Sequence, residues 1–312
     1  MRGLLNHRLF PALAMSAVIV LLPLVLPSAY YYRVAALVFV FALAAVGLNL
    51  LMGFAGQVSL GHAGFMGIGA YAVAIGPTHL NLPSWLAFVG GAGLSALVAF
   101  AVGRPILRLK GHYLAVATLG FGLLLAIAFS NEARFTGGPD GMAVSRFAVF
   151  GLSVRGAQAW YWITAASFLI GAVLALNLIE SPTGRALRAI HDSEVAARVL
   201  GVDIARMKLA VFVVSAVYAS VAGSYFAFLN GHITPDVSGF LRSIELVAMV
   251  VLGGLGSVAG SLVGAALLVM LPQTLTSLHD YEHMALGLII MAVMIFLRAG
   301  IVPTLARALG RA

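Results

Sequence analysis

The chain has 312 residues, 62% hydrophobic and 9% charged, with a mean hydropathy of +1.06 and a net charge of +8. Soluble domains carry about 25% charged residues, so 18 basic and 10 acidic side chains are too few to coat a water-soluble globule of this size. A soluble enzyme, a nucleic-acid-binding domain and a disordered chain are excluded, and the absence of cysteine rules out disulfides and thiolate metal sites.

In chain order, Arg2 and Arg8 precede an apolar run over 9–26 that is longer than the roughly 7–15 residues of a signal-peptide core. Pro23 and Pro27 stand where a small-residue cleavage site would lie, so the run is read as an uncleaved first span. Further spans of suitable length are expected at 34–52, 56–76, 85–103, 112–130, 160–179, 209–229, 244–258, 260–277 and 284–298. The segments 244–258 and 260–277 meet at Gly253-Gly254-Leu255-Gly256-Ser257 and could instead form a broken or re-entrant hairpin. The expected fold is an all-α, polytopic membrane helix bundle of ten spans, or eight, forming one transmembrane domain over 1–312. With the N-terminus inside, 13 Lys and Arg fall in inner segments and 5 in outer ones, which predicts cytoplasmic N and C termini. Two loops stand out, an outer one at 131–159 and an inner one of mixed charge at 180–208.

Charge placement is the most informative negative feature. Every Asp, Glu, Lys and Arg is expected in a loop or at a span end, with Glu245 closest to intruding. Ion-coupled carriers keep ionisable groups near the bilayer midplane. Neither Lys110 nor Lys208 follows a glycine, so no phosphate-cradling P-loop is present, and there is no HExxH or Gly-x-Ser-x-Gly. The chain has neither an energy source nor a catalytic set of its own, so another subunit must supply the work.

Three stretches carry the remaining signal. In 48–70, Gly61, Gly64, Gly67 and Gly69 thin one helix face, and Asn49, Gln57, Ser59 and His62 are polar groups at membrane depth. They read either as close helix packing with interhelical hydrogen bonds or as the lining of a substrate path. In the inner loop, Leu187, Ile190 and Val195 alternate with charges, and Ser193 or Asp192 would cap a short helix that ends at Gly201. That pattern suits an amphipathic helix on the membrane surface or a helix docking into a cytoplasmic partner. In the outer loop, Thr136-Gly137-Gly138-Pro139-Asp140-Gly141 has strong turn chemistry. Gly53-Phe54-Ala55-Gly56 and Gly253-Gly254-Leu255-Gly256 give a weak hint of an internal repeat.

These stretches resemble the permease subunits of bacterial branched-chain amino acid ABC importers, the LivM type. The likeness runs from Gly47-Leu48-Asn49-Leu50 to Gly61-His62-Ala63-Gly64-Phe65, then through the 136–141 turn. It continues in Glu194-x-Ala196-Ala197-x-x-x-Gly201 and Lys208-Leu209-Ala210-Val211-Phe212, and ends in Ile244-Glu245-Leu246 to Ser257. The resemblance implies a non-enzymatic inner-membrane subunit that pairs with a second, LivH-like permease. Two cytoplasmic ATPases would carry ATP and Mg, and a periplasmic or lipid-anchored binding protein would deliver substrate. No cofactor is expected in this chain, and lipid, not nucleic acid, would surround it. Glu194, Ala196, Ala197 and Gly201 would form the loop that couples to the ATPases. Gln57, Ser59, His62 and Thr118 are candidate pathway residues by polarity and depth. Thr136, Gly137, Gly138 and Asp140 would stand at the outer mouth. No metal site is expected. Urea, short amides and other small polar solutes are alternative substrates, and an ion-coupled carrier is the competing class.

Overall fold

Hydrocarbon offers no partner for peptide groups, so an apolar run of this kind must close its hydrogen bonds within itself as a helix. The computed structural model describes residues 15–24, 27–149, 152–274 and 299–308, together with 287, 288, 291 and 295. After a short apolar helix α1 (Met15–Leu24), α2 (Ala29–Asn49) continues through a π-helical turn, Leu50–Phe54. Next come α3 (His62–His79), α4 (Ser84–Ile106), α5 (His112–Asn131) and the single turn α6 (Ala133–Thr136). Then follow α7 (Ala157–Glu180), α8 (Pro182–Asp192), α9 (Glu194–Val199) and α10 (Ile204–Asn230). The chain closes with α11 (Phe240–Gly253), α12 (Val258–Thr274) and α13 (Ile301–Ala308). Two-residue strands form two ribbons, β1 (Met142–Ala143) with β4 (His232–Ile233), and β2 (Ala148–Val149) with β3 (Leu152–Ser153).

Five helices are long and apolar enough to cross a membrane: α2 with its π turn, α4, α5, α7 and α10. They contain the expected spans 34–52, 85–103, 112–130, 160–179 and 209–229. Of 9–26, only 15–24 is described as helix, and 284–298 lies almost wholly outside the described residues. Two expectations shift. The span expected at 56–76 becomes helical only at His62, and the one expected at 244–258 starts early, at Phe240, and stops at Gly253.

The core sits around α2, which is buried along almost its whole apolar length, with α7, α10 and α12 packed against it. Around this axis, α10 also meets α3 and α4. Small residues set how closely these backbones approach. A Cβ at Gly69 would stand 1.9 Å from the Ser220 carbonyl, and one at Gly223 1.9 Å from that of Met66. The glycines of α3 serve several neighbours rather than one face: Gly64 abuts α5 at Gly122 and Leu125, and Gly67 abuts Ser238. Large apolar side chains of α4 and α5, such as Leu97, Val116 and Leu124, face outward.

One end of the bundle gathers Arg185, Arg188, Arg198, Arg206 and Lys208 around α8, α9 and the start of α10, and is called the basic end. The two glycine-rich sequences come together there. A Cβ at Gly53 would stand 2.3 Å from the Gly256 nitrogen. The Asn49 carboxamide accepts from Gly256 N–H at 2.9 Å. It donates to the Ser257 carbonyl and Ser261 Oγ, both at 2.9 Å, and lies 3.3 Å from the Gly254 carbonyl. Asn49 thus ties the α11–α12 turn to the end of α2.

Candidate functional site

Two non-helical segments lead into the bundle from opposite ends, and the helix after each begins beside the other. From the basic end, residues 56–61 leave the π turn with Gly56 at φ +66° against the His191 ring. Irregular backbone survives at such depth only when its polar groups find partners in protein. Here Leu60 N–H donates to Thr118 Oγ1 at 3.1 Å, and that hydroxyl donates to the Ala115 carbonyl at 2.9 Å. Ser59 Oγ lies 2.8 Å from His62 Nδ1, and His62 Nε2 lies 2.6 Å from Ser215 Oγ on α10. With both ring nitrogens bonded and 1% exposure, His62 is seated as a core side chain joining two elements. Gln57 differs. It is 3% exposed, and neither its amide nitrogen nor its oxygen has a hydrogen-bond partner among the described residues.

From the opposite end, Gly231 (φ +69°) closes α10, and the chain pairs as β4 with β1 in the register Met142↔Ile233 and Ala143↔His232. It then turns through Pro235–Ser238 against α3 and α5, and α11 begins. The two starts meet where Ala63 N–H donates to Ser243 Oγ at 3.3 Å. The turn at 136–141 is the clamp on this segment. The Thr136 hydroxyl lies 2.6 Å from the Phe129 carbonyl and 2.7 Å from that of Glu132, and accepts from Gly138 N–H at 3.2 Å. Gly137 and Gly138 adopt left-handed backbone conformations, and the Asp140 carbonyl accepts from His232 Nε2 at 3.0 Å.

The early start of α11 corrects the expected charge map. Arg242, expected in an outer segment, occupies the first turn of α11 and pairs with Glu245 at 2.5 Å. Its guanidinium also stands over Phe41 and Phe226, 5.1 and 5.6 Å from the ring centres. Phe41 lies at the middle of α2 and Phe226 in the last turns of α10, so the pair packs against these two helices where α11 begins. An opposite-charge pair three residues apart was the available signal.

At the basic end, Ser193 Oγ accepts from Ala196 N–H at 3.3 Å and starts α9, while Asp192 ends α8. Gly201 at φ +81° follows the helix, as a left-handed residue there should, and the Val202 N–H returns to the Ala197 carbonyl at 3.0 Å. Ala197 packs inward with Ile190 and Ile204, leaving Val195, Ala196, Val199 and Leu200 exposed. Glu194 fixes the orientation of this short helix. Its carboxylate contacts Lys208 Nζ at 2.6 Å and Lys110 Nζ at 3.5 Å. The hydrogen bond from Lys208, then the two ammonium charges, hold the Glu194 carboxyl below its ordinary value against the opposing effect of partial burial. Lys208, at 6% exposure, is a buried cation held by this partner. Among the described residues, no three His, Cys, Asp or Glu are placed to hold a metal ion.

The sequence family described as branched-chain amino acid transport system / permease component matches residues 30–298. The chain belongs to this permease family. It is 33% identical over 294 residues to the high-affinity branched-chain amino acid transport system permease protein LivM of Escherichia coli K12, covering 86% of this chain and 69% of the relative. Identity is 26% to LivH of the same strain, over 84% of this chain and 90% of that one. It is 27% to BraD of Pseudomonas aeruginosa PAO1, over 73% and 79%. No solved structure matches the chain. The permease is a multi-pass membrane protein and a transport component rather than an enzyme. The bonded 56–61 segment and the Arg242–Glu245 pair both lie in the matched region.

Proposed function

We propose that this permease forms one half of the path by which an ATP-binding cassette importer carries branched-chain amino acids across the bacterial inner membrane. The observation that carries the reading is α9, a rigidly held helix presenting Val195, Val199 and Leu200 to solvent at the basic end. A short apolar knob fixed by a cap, a glycine stop and a charged clamp suits insertion into a groove on another protein. In this scheme Glu194, Ala196, Ala197 and Gly201 couple the chain to two cytoplasmic ATPases, which carry ATP and Mg. Both termini lie on that side. Similarity to both LivM and LivH supports pairing with a second permease of the same family.

The buried, unbonded Gln57 carboxamide is the group on 56–61 placed to meet solute. Ser59, His62 and Thr118 keep that segment in shape beside it. Thr136, Gly137, Gly138 and Asp140, at the opposite end, form the mouth that receives a binding protein. Closing of the ATPase pair would move α9, and through Lys208 the α10 scaffold, as alternating access.

The test is reconstitution of the permease with its second permease, ATPases and binding protein in liposomes. The reading expects leucine uptake that needs internal ATP. Uptake by the chain alone along an imposed ion gradient overturns it, and competition by urea or short amides in place of leucine assigns a sibling substrate.

A further inference from the structure

An ionisable pair inside a spanning segment is costly and usually marks the solute path. Arg242 and Glu245, in the first two turns of α11, are an ionisable pair packed against the spanning helices α2 and α10 at Phe41 and Phe226, and three features set them apart from simple charge neutralisation. The pairing is incomplete: Glu245 engages one terminal nitrogen of Arg242, while Arg242 Nε is shielded from solvent and has no hydrogen-bond partner among the described residues. A guanidinium has five N–H donors in a fork suited to a carboxylate. The pair is reachable, with side chains 26% and 35% exposed. It also borders an aliphatic surface, because Leu241 and Ile244 lie one helical turn apart on the open side of α11 and are 67% and 38% exposed.

We propose that this face of α11 is a transit subsite for a zwitterionic, aliphatic amino acid, an assignment that rests on the importer reading above. The substrate carboxylate takes Arg242, its ammonium takes Glu245, and its branched side chain lies along Leu241 and Ile244. The empty site is neutral because the two residues pair with each other. The loaded site is neutral because the zwitterion exchanges into that pair, so no net charge enters the bundle in either state.

The test uses the complete reconstituted importer with internal ATP and radiolabelled leucine. Wild-type uptake establishes the importer reading independently, and its failure sinks both that reading and the subsite. R242Q and E245Q are each expected to lower leucine turnover at least about tenfold in complexes that still assemble. The decisive variant is the swap R242E with E245R, which restores an ion pair but reverses the order of charges. The subsite requires turnover to stay low, and turnover near wild type reduces the pair to structural neutralisation. Should the swap fail to assemble, the lack of cysteine in this chain gives a second measurement. A single I244C is expected to react with a cationic, membrane-impermeant thiol reagent, as read by mass on this subunit, and loading with leucine is expected to slow that reaction. No labelling, or labelling indifferent to leucine, overturns the proposal.

Discussion

The two non-helical segments do the same geometric job by different means. Residues 56–61 are pinned by side chains from two helices, Thr118 on α5 and Ser215 through His62 on α10, and are based on the Asn49 junction. Residues 231–239 are held at 232–233 by a backbone ribbon to 142–143 and at Pro235–Ser238 by packing against α3 and α5, with Ser238 set against Gly67. The first is tied to the scaffold by side-chain hydrogen bonds along its length. The second is tied through its first residues to a surface loop, so what binds that loop can act on it, and it leads directly to the charged pair on α11. A transporter needs both kinds of anchorage, one to keep the path and one to change it.

Breaking the scaffold should have the largest effect. Asn49→Leu removes the side-chain bonds to Gly256 N–H, the Ser257 carbonyl and Ser261 Oγ and leaves an apolar group against this turn, while the Gly254 and Ser257 carbonyls keep the N–H groups of Ser257 and Ser261. A loss of about 3–4 kcal/mol is expected, roughly 1 for each hydrogen bond removed. It would be read as poor recovery of folded permease and a lowered Tm in detergent.

Glu194→Lys comes next. It sets three ammonium groups together around the buried Lys208, costing about 3 kcal/mol, the low end for a broken buried pair because Glu194 keeps partial access to water. The damage is local to α9, so the variant should insert in the membrane, bind its ATPases weakly and hydrolyse ATP without leucine uptake. Wild-type uptake in it would remove the docking role of α9. The same contact sets a pH dependence. The Glu194 carboxyl lies lower in the folded chain than in the unfolded one. Its contribution is therefore complete above the ordinary carboxylate range and is lost only as pH falls through the lowered value. Coupling of uptake to hydrolysis should be flat from neutral pH to about 5 in wild type, whereas Glu194→Gln should be impaired throughout.

Gly141→Ala probes the suspended segment. Gly141 has φ +73°, and a Cβ there would stand 1.8 Å from the Ile233 carbonyl. About 2 kcal/mol of strain is expected, released by parting β1 from β4 and leaving the helices in place. Leucine uptake driven by the binding protein should then fall more than Tm does. The reverse ratio would show that the ribbon belongs to the scaffold.

Composition alone announced the helices, because a long apolar run in hydrocarbon has no other way to satisfy its backbone. The ends of the two broken helices were harder to read. Residues 56–61 carry only two polar side chains, Gln57 and Ser59, between apolar runs, and what holds them out of a helix is a tertiary contact, the Thr118 hydroxyl on Leu60 N–H. The caps of α9 were visible as Ser193 and Gly201, since capping is local chemistry. The lysine partners of Glu194 come from α10 and from the loop before α5, and only the fold brings them together. In sequence Arg242 reads as an outer charge because hydropathy averages over a window, and a lone arginine simply ends a span. Its position beside Phe41 follows from the descent of 231–239, which no local pattern announces.

The smallest expected effect is the most discriminating for the scaffold. Thr118→Val keeps the volume of the side chain but removes the acceptor for Leu60 N–H, leaving that group without its partner. One hydrogen bond of this kind is worth about 1 kcal/mol. Ser59, His62 and Ser215 still hold the segment from the other side, so Tm should drop slightly with uptake near wild type, and Thr118→Ser should restore both. A large loss of uptake at unchanged Tm would mean that Thr118 meets the solute rather than the backbone. Residues 56–61 would then be a moving part of the path, and the contrast between the two segments would close.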